Sequence, residues 1–144
     1  MSDDATYPKS AVECSFTRTY AANLLLIGVI RNDVLALKEY QSLDSEMQDT
    51  LMIIITEMMT NAIKHGSKEH HLASVSLGLS ISDIQIICIF EDSGPGFDRS
   101  TIPDPTLPEY LHRDHGRGIF ITEHLASTVQ YLYQDNTMRI IVTL

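Results

Sequence analysis

The chain reads as a two-layer α/β (α+β) sandwich, a mixed and mostly antiparallel sheet covered on one face by about three helices. Two observations predict this. Segments of helical period and segments of strand period are segregated along the chain, in the order strand, two helices, two strands, long loop, helix, two strands. A length of 144 residues, 44% apolar and 20% charged, suits one domain with one core, so residues 1–144 are expected to form a single domain. A doubly wound parallel fold fits less well, because its strands and helices would alternate.

Residues 1–10 are polar and acidic and are expected to be flexible. Over residues 11–20, Val12, Cys14 and Phe16 alternate with Glu13, Ser15 and Thr17, the pattern of a strand with one buried face. Asn23 is placed to cap a helix reaching to about residue 40, with Leu26, Ile30, Val34 and Leu37 as its apolar stripe. A second helix is expected to start at Asp44 or Ser45, its candidate caps, with Glu46 in the first turn, and to end at Gly66. Leu51, Ile55, Met58 and Ala62 follow its spacing. Residues 73–80 alternate Val75, Leu77 and Leu79 with Ser74, Ser76 and Gly78, and residues 84–90, IQIICIF, form a nearly continuous β-branched run; both predict strands. Residues 93–118 are rich in Gly, Pro, Asp and His and too long for a simple connector, and such loops in compact domains usually carry function. A short helix over about residues 118–127 follows. Strands over 129–133 and 138–144, around an Asp135-Asn136 turn, complete the chain.

Several function classes are excluded. A net charge of −9 opposes a sequence-independent grip on nucleic acid, which depends on Lys and Arg neutralising phosphates, so no direct nucleic-acid partner is expected. The start MSDDATYPKS lacks the positive and apolar regions of a secretory signal, and the longest apolar run, AANLLLIGVI, is about half what a bilayer requires. The expectation is a cytoplasmic protein with no membrane contact. Cys14 and Cys88 lack metal-type spacing and read as two reduced core thiols. His70-His71 and the His112/His115 pair have no partner ligands at metal spacing and read as solvated loop residues. His65 serves to terminate its helix, Lys64 is a surface charge, and Met47, Met52, Met58 and Met59 are core or interface filler. No G-x-x-x-x-G-K-[ST] occurs, which excludes a P-loop NTPase.

Three stretches carry candidate chemistry. In TEMMTNAIKHG, Glu57 and Asn61 leave adjacent helical turns only ~40° apart around the axis and can reach one ligand, although alone such a pair is an exposed polar edge. In EDSGPGFD, Asp92 ends a buried strand and can accept from an amino group, while Gly94 and Gly96 let the backbone approach a ligand. In HGRGIFI, Gly116 and Gly118 precede a helix whose free N–H groups favour an anion such as phosphate, and Arg117 between them can touch it. Each motif alone is weak.

Together and in this order, E-M-M-T-N-A-I-K-H-G, D-S-G-P-G-F-D and H-G-R-G-I-F-I resemble the nucleotide-binding boxes of the GHKL ATPase superfamily. Within it they resemble the bacterial anti-sigma factor serine/threonine kinases of RsbW type, over about residues 11–144, with Asp135-Asn136-Thr137 resembling the final box. The resemblance implies the Bergerat-type, histidine-kinase-like ATPase fold, with ATP and Mg²⁺ as ligands and residues 98–115 as the ATP lid. It implies that Asn61 supplies its side-chain oxygen to Mg²⁺ and that Glu57 is the general base for an acceptor hydroxyl. Asp92 would read the adenine amino group, Gly94 and Gly96 would shape that wall with Thr137 assisting, and Gly116 and Gly118 would wrap the phosphates. The implied partners are a sigma factor, held inactive, and a STAS-domain anti-anti-sigma protein, phosphorylated on serine or threonine. A homodimer is also implied, for which the apolar residues 24–30 offer a surface.

The sequence departs from the family at Pro103, Pro105 and Pro108 in the lid, at Ile119 and Phe120, and at Asn136 where a glycine is usual before Thr137. Altered lid residues favour a second reading, an ATP-binding regulatory module with little or no catalysis that gates partner binding. The retained Glu57 favours the kinase, since a pure binding module needs no base. The catalytic half of a sensor histidine kinase is not expected, since 144 residues hold no separate phosphoacceptor hairpin or sensor segment.

Overall fold

A computed structural model describes residues 13–66, 73–110 and 117–144. Val12, the first ten residues, His70, His71, His112, His115 and Gly116 lie outside the described residues, as do residues 111–115 of the expected lid. The described chain runs β1 (Phe16–Ala21), α1 (Ile27–Leu35), α2 (Lys38–Gln41), α3 (Ser45–Gly66), β2 (Ser74–Ile81), β3 (Ile86–Asp92), α4 (Arg117–Leu125), β4 (Thr128–Gln134) and β5 (Thr137–Thr143). Short 3-10 turns at Leu24–Leu26, Arg99–Thr101 and Pro108–Tyr110 punctuate it. The five strands form one sheet in the order β1-β2-β3-β5-β4, and every neighbouring pair is antiparallel. This is the α/β two-layer sandwich expected, with the sheet wholly antiparallel.

Alternation decides which face of the sheet meets the helices. Val75, Leu77 and Leu79 of β2, Cys88 and Phe90 of β3, and Met138, Ile140 and Val142 of β5 all point to one face and are buried there. Onto them α3 lays Leu51, Ile54, Ile55, Met58, Met59 and Ile63, all buried in the same core. Each such side chain contributes roughly 1.5–3 kcal/mol on leaving water, so α3 is held mainly by its underside. Asp44 starts it as expected, its Oδ1 accepting from the Met47 N–H at 2.8 Å.

Three expectations need correction. The first helix is not continuous to residue 40: Asn23 caps the 3-10 turn, accepting from the Leu25 N–H at 2.9 Å, and the chain breaks at Leu37 (φ −74°, ψ 128°) between α1 and α2. The apolar stripe survives, with Ile30 and Val34 buried and Leu26 and Leu37 packed against the core. Gln41 Nε2 bridges the break, donating to the Leu35 carbonyl at 2.9 Å, and Gln48 then ties the end of α2 to the start of α3. Gln48 Nε2 donates to the carbonyls of Tyr40, Gln41 and Leu43 at 3.1, 3.2 and 3.0 Å, and the Tyr40 hydroxyl donates back to the Gln48 carbonyl at 2.9 Å.

The strand expected from residue 84 begins at Ile86, because Ser82 builds a turn whose hydroxyl donates to the Gln85 carbonyl and accepts from the Gln85 N–H. Ile84, at that turn, is 93% exposed. Cys88 is a buried free thiol in the core, but Cys14 is only half-buried and seats its sulfur over Gly78, on the opposite face of β2 from Leu77 and Leu79. A bend at Ser15 takes it out of the alternation read from the sequence.

Candidate nucleotide-binding site

Glu57 and Asn61 project from α3 on the side away from the buried Met58, Met59 and Ile63, and both are half-buried. Above Glu57 passes the first turn of α4. A Cβ built on Gly118 would lie 2.8 Å from Glu57 Oε2, 3.4 Å from its Cβ and 3.6 Å from its carbonyl oxygen. The two helices touch at this point because residue 118 has no side chain, and the carboxylate sits beside the N-terminal turn of α4, where the unpaired N–H groups of a helix lie. The structure thus brings together Glu57 and Gly118, 61 residues apart in sequence. Arg117 opens α4 and is exposed.

The second wall is built at the end of β3. Asp92 is only 7% exposed, and its Oδ1 accepts from the Gly94 N–H at 2.8 Å. Burial pushes its carboxyl above the usual carboxylate range, and the Gly94 N–H partly offsets this. A buried carboxylate of this kind holds acceptor capacity beyond its one N–H partner. Gly96 turns the chain in the left-handed region (φ 69°), and a Cβ there would lie 2.6 Å from the Tyr133 ring, so both backbone and neighbour require glycine. Phe97 follows, its ring between His65 at 5.8 Å and Tyr131 at 5.9 Å, which joins the last turn of α3 to β4.

Thr137 is placed differently from Asp92. The register sets Met138 opposite Asp92, and the Thr137 hydroxyl lies 3.5 Å from the Asp135 carbonyl of its own turn. Asp135 and Asn136 both adopt positive φ (53° and 58°), the backbone of a two-residue hairpin turn, so asparagine fills the place where a glycine is usual. Among the described residues no group of three or more His, Cys, Asp or Glu converges as a metal site. The Asn61 amide oxygen is a suitable hard donor for a metal of the magnesium kind.

Sequence reading missed three participants. Tyr133, stacked under Gly96, carries no signal beyond its place in a strand. Arg99 and Glu123 form an ion pair across 24 residues, which no local spacing could reveal.

An antiparallel sheet with helices packed on one face, and a polar helix edge facing a glycine at a helix start, define a two-layer α/β sandwich domain with a candidate ligand site between α3 and α4. Residues 20–144 match the histidine kinase-like ATPase domain family, and the chain belongs to that family, for which ATP binding is expected. The serine-protein kinase RsbW of Oceanobacillus iheyensis is 25% identical over 118 residues, covering 78% of this chain and 75% of that protein. A crystal structure of the RsbU and RsbW domains of a Mycobacterium tuberculosis protein superposes with a TM-score of 0.59 at 14% identity, covering 90% of this chain. The chain spans about a third (32%) of that larger one, and the likeness is one of fold. Within the family, the similarities are to the RsbW type. Among the described residues no helix is long and apolar enough to cross a membrane.

Proposed function

We propose that this chain is an ATP-dependent serine/threonine protein kinase of a bacterial partner-switching system. In this reading it holds a sigma factor inactive and phosphorylates a STAS-domain antagonist. The observation that carries the reading is the contact between Glu57 and Gly118, which keeps a carboxylate beside the turn proposed to wrap the phosphates. Glu57 takes the proton from the acceptor hydroxyl as its oxygen bonds to the γ-phosphorus and the bond to ADP breaks. Asp92 accepts from the adenine amino group, Gly94 and Gly96 form the wall beside it, and Gly116, Arg117 and Gly118 hold the phosphates. Asn61 would hold Mg²⁺, which supplies positive charge to the phosphate oxygens when bound. Residues 98–115 act as the lid. Thr137 assists the adenine wall only if its hydroxyl turns away from the Asp135 carbonyl.

The test is incubation with Mg²⁺ and γ-labelled ATP plus the STAS-domain protein encoded nearest, beside Glu57→Gln. Label on the STAS-domain protein, lost in Glu57→Gln while ATP binding persists, is the expected result. Measurable ATP binding with no label on that protein or on a second candidate would replace the kinase by a nucleotide-gated binding module.

A further inference from the structure

Directly after the glycine turn, Asp98 caps the 3-10 turn Arg99–Thr101, accepting from the Ser100 N–H at 2.9 Å. From that turn Arg99 reaches across to α4. Its Nε and Nη2 donate to the two carboxylate oxygens of Glu123, the latter at 3.0 Å, and its Nη1 donates to the Ile102 carbonyl at 3.2 Å. The Tyr131 hydroxyl of β4 donates to Glu123 Oε1 at 2.5 Å. Glu123 is thus held from two sides, by a two-pronged guanidinium and by the sheet edge. The side chains of Arg99 and Glu123 are only 34% and 30% exposed.

The position of this pair in the chain matters more than its strength. Arg99 lies at the start of the expected lid and Glu123 beyond the turn at Gly118, so their bond ties the glycine turn after β3 to α4. An α-helix is stiff, and Glu123 lies five positions after Gly118, roughly 7.5 Å of helix. A displacement of Glu123 is therefore passed to Gly118, where a Cβ would already lie 2.8 Å from the Glu57 carboxylate. A half-buried ion pair of this kind adds little to stability, but bidentate geometry fixes orientation well.

We propose that Arg99, Glu123 and Tyr131 form a positioning clamp that sets the first turn of α4 against Glu57 and so sets how tightly nucleotide phosphates are held. None of the three touches the reacting atoms. The inference rests on the nucleotide site proposed above but not on phosphate transfer.

The test compares Arg99→Gln, Arg99→Glu, Glu123→Arg, the exchanged pair Arg99→Glu/Glu123→Arg, and Tyr131→Phe in the full chain. ATP and AMP affinities, KM and kcat for ATP, and the thermal midpoint are measured for each. Breaking the pair is expected to weaken ATP roughly tenfold, with AMP affinity nearly unchanged and the exchanged pair recovering most of the loss. AMP serves as the control because it retains the adenine but lacks the β- and γ-phosphates. Tyr131→Phe, which keeps the ring, is expected to give a smaller loss in the same direction. Arg99→Gln guards against a failure of the charge-reversed variants to fold. ATP affinity unchanged in Arg99→Gln, or equal losses for ATP and AMP, or no recovery in a folded exchanged pair, would overturn the clamp. A wild-type protein that binds ATP and transfers no phosphate would remove the kinase reading while leaving the clamp's affinity test intact.

Discussion

Gly96 and Gly118 are glycines for different reasons, and the difference predicts different failures. At Gly96 the backbone itself is left-handed, so any side chain is strained even before it meets Tyr133. At Gly118 the backbone is helical and only Glu57 stands in the way. Alanine favours a helix by about 1 kcal/mol over glycine, whereas overpacking costs typically 1–3 kcal/mol. Gly118→Ala should therefore change the thermal midpoint little while displacing the Glu57 carboxylate, and ATP affinity should fall roughly tenfold, as a shift of this size at a bound phosphate predicts. Calorimetric titration of ATP beside a melting curve measures both; unchanged affinity would place the phosphates away from this turn. The motifs marked both glycines in the sequence, yet nothing local showed that the partner of Gly118 is Glu57.

At the scale of elements, α4 carries an internal cost. Thr122 is fully buried, and its hydroxyl has no hydrogen-bond partner among the described residues. An unpaired buried hydroxyl costs roughly 1–3 kcal/mol, and valine has nearly the same shape. Thr122→Val should raise stability by about 1 kcal/mol, or roughly 2–5 °C in the midpoint for a chain of this size. Scanning calorimetry decides it, and a lowered midpoint would mean that the hydroxyl is bonded in solution. Helices and strands were legible where their periodicity was long. In α3, four helical turns of apolar spacing and Asp44 mark both underside and start, and β2 shows unbroken alternation. The break between α1 and α2 was not legible, because the apolar stripe runs across it unbroken and what bridges it is a side-chain bond from Gln41 to the Leu35 carbonyl. The start of β3 moved for a similar reason, since the Ser82 turn outweighs the β-branched character of Ile84.

For the molecule as a whole, two carboxylates pull the pH dependence in opposite directions. Burial raises the Asp92 pKa, so its ionised form costs stability above that value, and the cost disappears as pH falls below the unfolded value. The Glu123 pKa is lowered, first by its bond to Arg99 and further by Tyr131 and the charges of Arg99 and His124. Its stabilisation is complete above the unfolded carboxylate pKa and is lost as pH falls through the lowered one. Asp92→Asn should remove the first effect: the nucleotide-free protein should melt a few degrees higher at pH 7, with little change in acid, while ATP affinity collapses. Melting curves from pH 3 to pH 8, with and without ATP, check this. A lower midpoint at neutral pH would show that the Asp92 charge stabilises the free fold.

The amino-acid sequence by itself determined the segregated order of helices and strands, the buried face of each long element, and the three glycine- and acid-bearing stretches. All of these are written in residue types at short spacing, which local sterics and hydrophobic period are sufficient to read. Only the tertiary structure decided that Glu57 lies against Gly118, that Met138 and not Thr137 faces Asp92, and that Arg99 is bonded to Glu123. Those relations join residues far apart in the chain. They depend on strand register and on the crossing of α3 and α4, which only the packing of the whole core can set.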